Sequence, residues 1–475
     1  MLFTSMEFLF LFFPATVVLY FLLPHFLRNY LLLGVSLFFY AWGEPKFVFA
    51  MMMSILLNYL LARLLERFPL KSRPRKFLMA LAVILNLGLL FVYKYANFVT
   101  ANLRLAVPSV SQWIPQTHSA LPIGISFFTF QAMSYVIDVY RGIPAQKKLS
   151  YVALYISFFP QLIAGPIVRY TTIMDQMDRR TITPTSFSKG ILRFLYGFNK
   201  KMLLANVMAQ VADTAFGAAD RSVAMAWLGA VCYSLQIFFD FAGYSEMAIG
   251  LGQMFGFTFL ENFNYPYISK TVTEFWRRWH ISLGSWFRDY VYFPMGGSRV
   301  NGRWLLIRNL AVVWLATGIW HGANWTFLLW GILHGGIIIL EKVFSLPQRL
   351  SRRPVAGLGY QIVTLLAVLF GWVLFRSDSL SLAIDYIRTM LGLSGAALLD
   401  DAFHFHIREY AVTLAAALIC STPVFSWIQE RLETRGGWLL GLWECVNYAL
   451  QLFFFLCGVS MLVMKAHNPF IYFNF

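Results

Sequence analysis

Apolar residues fill this chain in long blocks, broken by short basic or glycine- and proline-containing segments from one end to the other. The blocks run from Met6 to Leu23, Tyr30 to Trp42, Phe47 to Leu61, Phe77 to Phe98 and Leu121 to Val139, then resume at Val223 to Phe239 and Ala242 to Phe255. Later ones cover Leu305 to Trp320, Trp325 to Leu340, Tyr360 to Phe375, Tyr410 to Trp427 and Val446 to Met464. A helix needs about 20 apolar residues to cross the hydrocarbon, so the pattern predicts an all-α polytopic membrane protein with about 11 transmembrane helices. Tyr151 to Ala164 is short and runs straight into Gly165, Pro166 and Arg169, which predicts a re-entrant or broken helix. Asp240 interrupts one apolar run and His321, Gly322, Ala323 and Asn324 hinge another, so both places put backbone and ionisable groups inside the membrane domain.

Composition agrees with bilayer as the solvent. Of 475 residues, 59% are hydrophobic and 13% charged, well under the roughly 25% charged residues of a soluble domain. The net charge of +16 raises the question of nucleic acid, but the basic residues do not gather on one water-exposed face. They cluster between apolar blocks, at Arg63 to Lys76, Arg169 to Lys201, Lys270 to Arg308 and Lys342 to Arg353. That is the bias of cytoplasmic loops, and it predicts that both termini face the periplasm of a bacterial inner membrane. No nucleic-acid partner is expected. Cys232, Cys420, Cys445 and Cys457 lack paired short spacing and read as packing residues. The N-terminus has no basic leader or small-residue cleavage site, so the first apolar block is expected to stay as a helix. Without internal repeats, the chain reads as a single membrane domain over 1–475, with core motifs in 121–345 and a tail in 465–475.

An ionisable side chain at membrane depth is costly and commonly functional. His321, in TGIWHGANW, stands between glycines that permit close backbone approach and beside Trp320 and Trp325, which can wall a site. A neutral imidazole there can take a proton from an attacking hydroxyl; the competing reading is a histidine that hydrogen-bonds two helices together. His280 lies in TEFWRRWHISLGSWFRDY, too polar to span and expected to form an amphipathic cytoplasmic helix in the interface. Arg277, Arg278 and Arg288, with Trp276 beside them, are candidates for holding the phosphates of coenzyme A or a phosphopantetheine arm, against contact with anionic membrane lipid. Asp240 and Glu246 in FFDFAGYSEMAIG are expected to orient a histidine or pair with an arginine of the next segment, or to form a purely structural ion pair. His334, His404 and His406 make a weak metal signal, and no metal is expected.

Taken together, FFYAWGEP, LPIGISFFTFQAMSYVIDVYRG, FFPQLIAGPIVRY, FDFAGYSEMAIGLGQMFGF, ENFNYPYISKTVTEFWRRWHISLGSWFRDYVYFPMGG and TGIWHGANWTFLLWG resemble the membrane-bound O-acyltransferase family. The likeness is to its bacterial branch of alginate and peptidoglycan O-acetyltransferase membrane subunits. It implies that His321 is the essential histidine and His280 the second characteristic polar position, in a central funnel crossing the membrane. It further implies acetyl-CoA as donor, with no tightly bound cofactor, an envelope polysaccharide as final acceptor, and a periplasmic SGNH-hydrolase-like partner. The tail NPFIYFNF resembles the C-terminal tyrosine motif of the small membrane partner in D-alanylation systems, which implies that Tyr472 accepts the acyl group with His321 as base. An aromatic anchor at the membrane border is the other reading of Tyr472. The competing function is a transporter or flippase for an envelope precursor; it suffers from the missing repeat halves and the long EFWRRWH segment.

Overall fold

The computed structural model describes residues 1–114, 117, 120–351, 354–464, 467–469 and 471, and every regular element among them is a helix. Tyr472 lies outside the described residues. Among the described residues six helices are long and apolar enough to cross a bilayer: Phe47–Glu66, Arg73–Ala106, Val223–Met254, Trp325–Val343, Val355–Arg376 and Trp438–Val463. A seventh crossing is available if Asp401–Cys420 and Val424–Arg435, bent by 53°, make one span. The remaining expected spans exist as shorter or more polar helices: Phe8–Leu22, His25–Gly43, Ile125–Arg141 and Arg303–His321. Large apolar side chains stay exposed along these helices, Leu11, Phe49, Ile84 and Phe453 among them, as a hydrocarbon solvent allows.

The chain divides into two compact units, Met1–Ile191 with Ala248–Leu260, and Leu192–Met247 with Glu261–Phe475. In the first, the rings of Phe3, Phe8, Phe12, Phe39 and Phe159 pack with centroids 4.9 to 6.5 Å apart. Inside the spans, Asn58 and Asn86 each donate an amide hydrogen to the other's oxygen, at 3.1 and 2.8 Å, so neither polar group is left bare in apolar surroundings. The buried Arg75 guanidinium donates to Leu65 O and Phe68 O, near the end of Phe47–Glu66, and to Val139 O and Tyr140 O, near the end of Ile125–Arg141. One cation thus adds charge-assisted bonds to carbonyls at two helix C-termini, at the negative ends of both dipoles. The broken helix is present as Leu149–Ser157 and Phe159–Leu162, turned at Phe158. Side chains take up part of the freed backbone bonding, with Gln161 Nε2 on Tyr155 O at 2.6 Å and Tyr155 Oη on Val168 O at 3.0 Å.

Two expectations need correction. Val223–Met254 is one continuous helix of 32 residues, not two runs broken at Asp240. Its carboxylate meets Lys201 Nζ at 2.6 Å, and a neutralised charge gives the helix no reason to open. Conversely, the stretch around His280 is two seven-residue helices, Val272–Arg278 and Ile281–Phe287, rather than one amphipathic helix.

The helix pair Arg303–His321 and Trp325–Val343 owes its tight packing to small residues. A Cβ on Gly331 would stand 2.6 Å from Trp314 O, and one on Gly318 2.7 Å from Phe327 O. Gly331→Ala is therefore expected to destabilise the unit by about 1–3 kcal/mol through overpacking. Gly336→Ala, on the same helix but facing open space, should leave thermal unfolding in detergent unchanged; equal midpoints for the two would refute this account.

Candidate active site

His321 is the last residue of Arg303–His321. The next residue, Gly322, is extended, and Asn324 caps the following helix by accepting from Thr326 N at 3.1 Å. A Cβ at Gly322 would fall 2.2 Å from the Phe327 ring, so only glycine lets the chain turn here with the imidazole held inside. That imidazole is 5% exposed and is met edge to face by Trp320, Trp330 and Phe375, with centroids 5.0, 4.9 and 5.1 Å away. One turn beyond Trp330, His334 is buried against Trp330, Trp276 and Trp314. Neither of its ring nitrogens has a hydrogen-bond partner among the described residues.

The Trp320 ring also lies 6.2 Å from that of His280. His280 joins the two short helices in a left-handed conformation, φ 46°, a strained choice for a residue with a side chain and one often found at functional sites. Asn262 supplies the support. Its Oδ1 accepts from Ser282 N at 3.1 Å and Ser282 Oγ at 2.9 Å, its Nδ2 donates to Ser245 Oγ at 3.0 Å, and its carbonyl accepts from Ile281 N. A backbone N–H facing Oδ1 fixes that atom as oxygen, so His280 Nδ1, 3.1 Å away, must be the donor. Nε2 therefore carries the lone pair, and it has no hydrogen-bond partner among the described residues. Two imidazoles thus neighbour one indole, and the second has a defined tautomer.

The sequence pattern of the membrane-bound O-acyltransferase family, MBOAT, matches residues 89–378, which include every ring just described. A protein of Pseudomonas putida named "probable alginate O-acetylase" is 39% identical over 494 aligned positions that cover 100% of both chains. This chain belongs to the membrane-bound O-acyltransferase family.

It is thus an enzyme, an acyltransferase. The peptidoglycan O-acetyltransferase of Helicobacter pylori is 34% identical, over 90% of this chain and 87% of its own. The teichoic acid D-alanyltransferase of Bacillus subtilis is 29% identical over 47% of this chain and 59% of its own.

Other candidate residues of this acyltransferase are placed as follows. Trp276 is half-buried and points into the aromatic cluster, with Trp330 and His334 centroids at 5.2 and 5.1 Å. Arg277 is exposed at the end of the same helix. Arg278 pairs with Glu274 at 3.0 Å and donates to Asn264 O, while Arg288 is exposed beside Asp289 at 3.0 Å. Among the described residues Asp240 and Glu246 bind neither a histidine nor an arginine of the following segment; they pair with Lys201 and Lys200, at 2.6 and 2.7 Å, from the preceding helical segment. His404 and His406 lie on Asp401–Cys420, where His406 Nδ1 meets Ala402 O at 2.8 Å.

Two positioning residues escaped the sequence reading. Asn262 stood inside the quoted ENFNYP motif but carries no charge, so the search for ionisable groups passed over it. Glu341, fully buried, accepts from Val272 N at 2.8 Å, Thr273 N at 2.7 Å and Tyr360 Oη at 3.0 Å. It anchors the start of Val272–Arg278, the helix that carries Trp276 and leads into His280. An acidic side chain in an apolar helix was the available signal.

Proposed function

We propose that this enzyme moves an acetyl group from cytoplasmic acetyl-CoA across the bacterial inner membrane for O-acetylation of an envelope polysaccharide, alginate-like or peptidoglycan, with both termini periplasmic. The supporting observation is the tail: Ile471 is 6% exposed and belongs to the same hydrophobic cluster as Trp330 and Phe375, the rings that wall His321. Tyr472 follows it in sequence.

In this reading His321 takes the proton of the Tyr472 hydroxyl, and the phenolate oxygen attacks the thioester carbonyl. The C–S bond breaks, an O-acetyl ester forms on tyrosine, and the proton passes from imidazolium to the departing thiolate. Coenzyme A, too charged to cross, stays on its own side while a small neutral acyl group moves. A hydroxyl of a periplasmic SGNH-hydrolase-like partner, or of the polysaccharide, then takes the acetyl group and returns the tyrosine. Splitting the transfer in two lowers the barrier of each step. His280 offers its Nε2 lone pair beside the shared indole, and Arg277, Arg278 and Arg288 hold the phosphates of the donor, with Trp276 next to them in sequence.

The test is transfer from radiolabelled acetyl-CoA to purified protein. Label is expected on the wild type and absent from Tyr472→Phe, which loses only a hydroxyl. Undiminished label in that variant sinks the tyrosine relay. No reaction of the wild type with acetyl-CoA at all turns the reading toward another donor, or toward a transporter for an envelope precursor.

A further inference from the structure

The apolar run that carries Asp240 crosses the segment Leu192–Gly217 at two glycines. A Cβ on Gly197 would meet Gly243 O at 2.3 Å, and one on Gly243 would meet Gly197 O at 2.7 Å and Lys201 N at 3.3 Å. That approach, with a π-helical turn at Lys200–Ala205, sets Lys201 against Asp240. The two side chains are 3% and 1% exposed, with Nζ 2.6 Å from Oδ1. A buried ion pair is a poor source of stability, because desolvation offsets most of the attraction unless further hydrogen bonds use the remaining protons and lone pairs. Here those further bonds go to the C-terminal tail. Lys201 Nζ donates to Pro469 O, and Asp240 Oδ2 accepts from Ile471 N at 2.9 Å. Neighbouring groups take the adjacent tail residues: Asn206 Nδ2 donates to Asn468 Oδ1 at 3.1 Å, and His467 Nε2 lies 3.0 Å from Asp213 Oδ2. Asp213 is itself held by Arg376 at 2.7 Å.

We propose that Lys201 and Asp240 form a clasp that seats the tail at His467 to Pro469 and Ile471 in the second unit, and that this clasp positions the hydroxyl of Tyr472 for acyl transfer. The second half of the inference rests on the relay proposed above; the first half does not. Both are positioning residues, since neither touches the thioester. The geometry is matched to backbone polarity, with a donor facing the carbonyl of Pro469 and an acceptor facing the N–H of Ile471. An ion pair kept only for stability has no need of that match, and this difference gives the test.

The double variant Lys201→Asp with Asp240→Lys keeps opposite charges facing each other. It reverses the match to the tail, because a carboxylate cannot donate to Pro469 O and an ammonium cannot accept from Ile471 N. The readout of seating is maleimide alkylation of full-length protein carrying Ile471→Cys, followed by peptide mass mapping so that the four native cysteines are scored apart. Alkylation at position 471 is expected to be slow with the native pair and about tenfold faster or more with the swapped pair, as a local opening would give. Acetyl transfer by the swapped enzyme with native Ile471 should fall about 10²-fold, the scale of loss when a reacting group is misplaced by an ångström. If the swap lowers the yield of folded protein, Lys201→Met with Asp240→Leu, which leaves no buried charge, should give the same two results. A thiol at position 471 that stays as protected in the paired variants as with the native pair would overturn the clasp. Fast alkylation with undiminished acetyl transfer would overturn its role in positioning. Retained acetylation in Tyr472→Phe refutes the relay instead, and leaves the alkylation result to decide the clasp alone.

Discussion

His321→Ala is expected to lower acetyl transfer by about 10²–10⁴-fold, the usual contribution of a positioned general base. The imidazole sits at a helix end where Gly322 releases the chain, between Trp320, Trp330 and Phe375. Truncation removes the proton acceptor and also leaves a void, so stability has to be followed beside activity. His321→Gln fills most of the void without supplying a base. Acetyl-CoA consumption by both variants in detergent should fall together, whereas their unfolding temperatures should differ, with alanine lower. A glutamine variant that keeps the wild-type rate would exclude base catalysis by His321 and leave it the helix-bridging role.

Arg75→Met should destabilise the first unit by about 2–5 kcal/mol, through the loss of charge-assisted hydrogen bonds to buried carbonyls. One guanidinium, 5% exposed, donates to four carbonyls at the ends of two helices. Methionine fills similar volume but takes the charged donor from all four oxygens, of which Leu65 O and Val139 O keep a backbone N–H from Phe68 and Gly142, so the cost falls mainly on Phe68 O and Tyr140 O, at about 1–3 kcal/mol each less whatever water can recover. Lysine at this position is expected to rescue little, because a single ammonium cannot reproduce the fork that reaches both helices. Thermal unfolding in detergent, followed by tryptophan fluorescence and by protease sensitivity near Phe68 and Tyr140, gives the measurement. A midpoint within about a degree of wild type, against the several degrees such a loss implies, would show that these carbonyls find other partners.

Helical class, the crowding of apolar blocks and the hinge at His321 were readable in the sequence because each is a local property: block length, a polar break, a glycine beside it. Tyr151 to Ala164, short and followed by Gly165 and Pro166, announced its broken helix in the same way. What local pattern could not give was partnership across long separations. Asp240 looked like an interruption because its counter-charge, Lys201, comes from an earlier helix. His280 looked like part of one amphipathic helix because the left-handed turn it adopts depends on Asn262, a residue 18 positions away. The number of crossings is less legible than their presence: apolar content alone counts Phe8–Leu22 and Ile125–Arg141 as spans, although the first has 10 residues of α-helix after a π-helical turn and the second 17. The candidate arginines illustrate the same limit, since charge placed them near a carrier while the carboxylates that Arg278 and Arg288 meet, Glu274 and Asp289, were decided by the folded chain.

The tail bond on Asp240 has a consequence for the order in which the enzyme is made. Ile471 lies 231 positions after the carboxylate it binds, so at about 5–20 residues per second the ribosome needs on the order of 10 to 50 seconds to supply it. During that interval Lys201 and Asp240 have each other, so neither charge faces the bilayer alone while the bonds that the tail will take stay open. The nascent membrane domain can therefore insert and pack well before Ile471 arrives to take up the bond on Asp240.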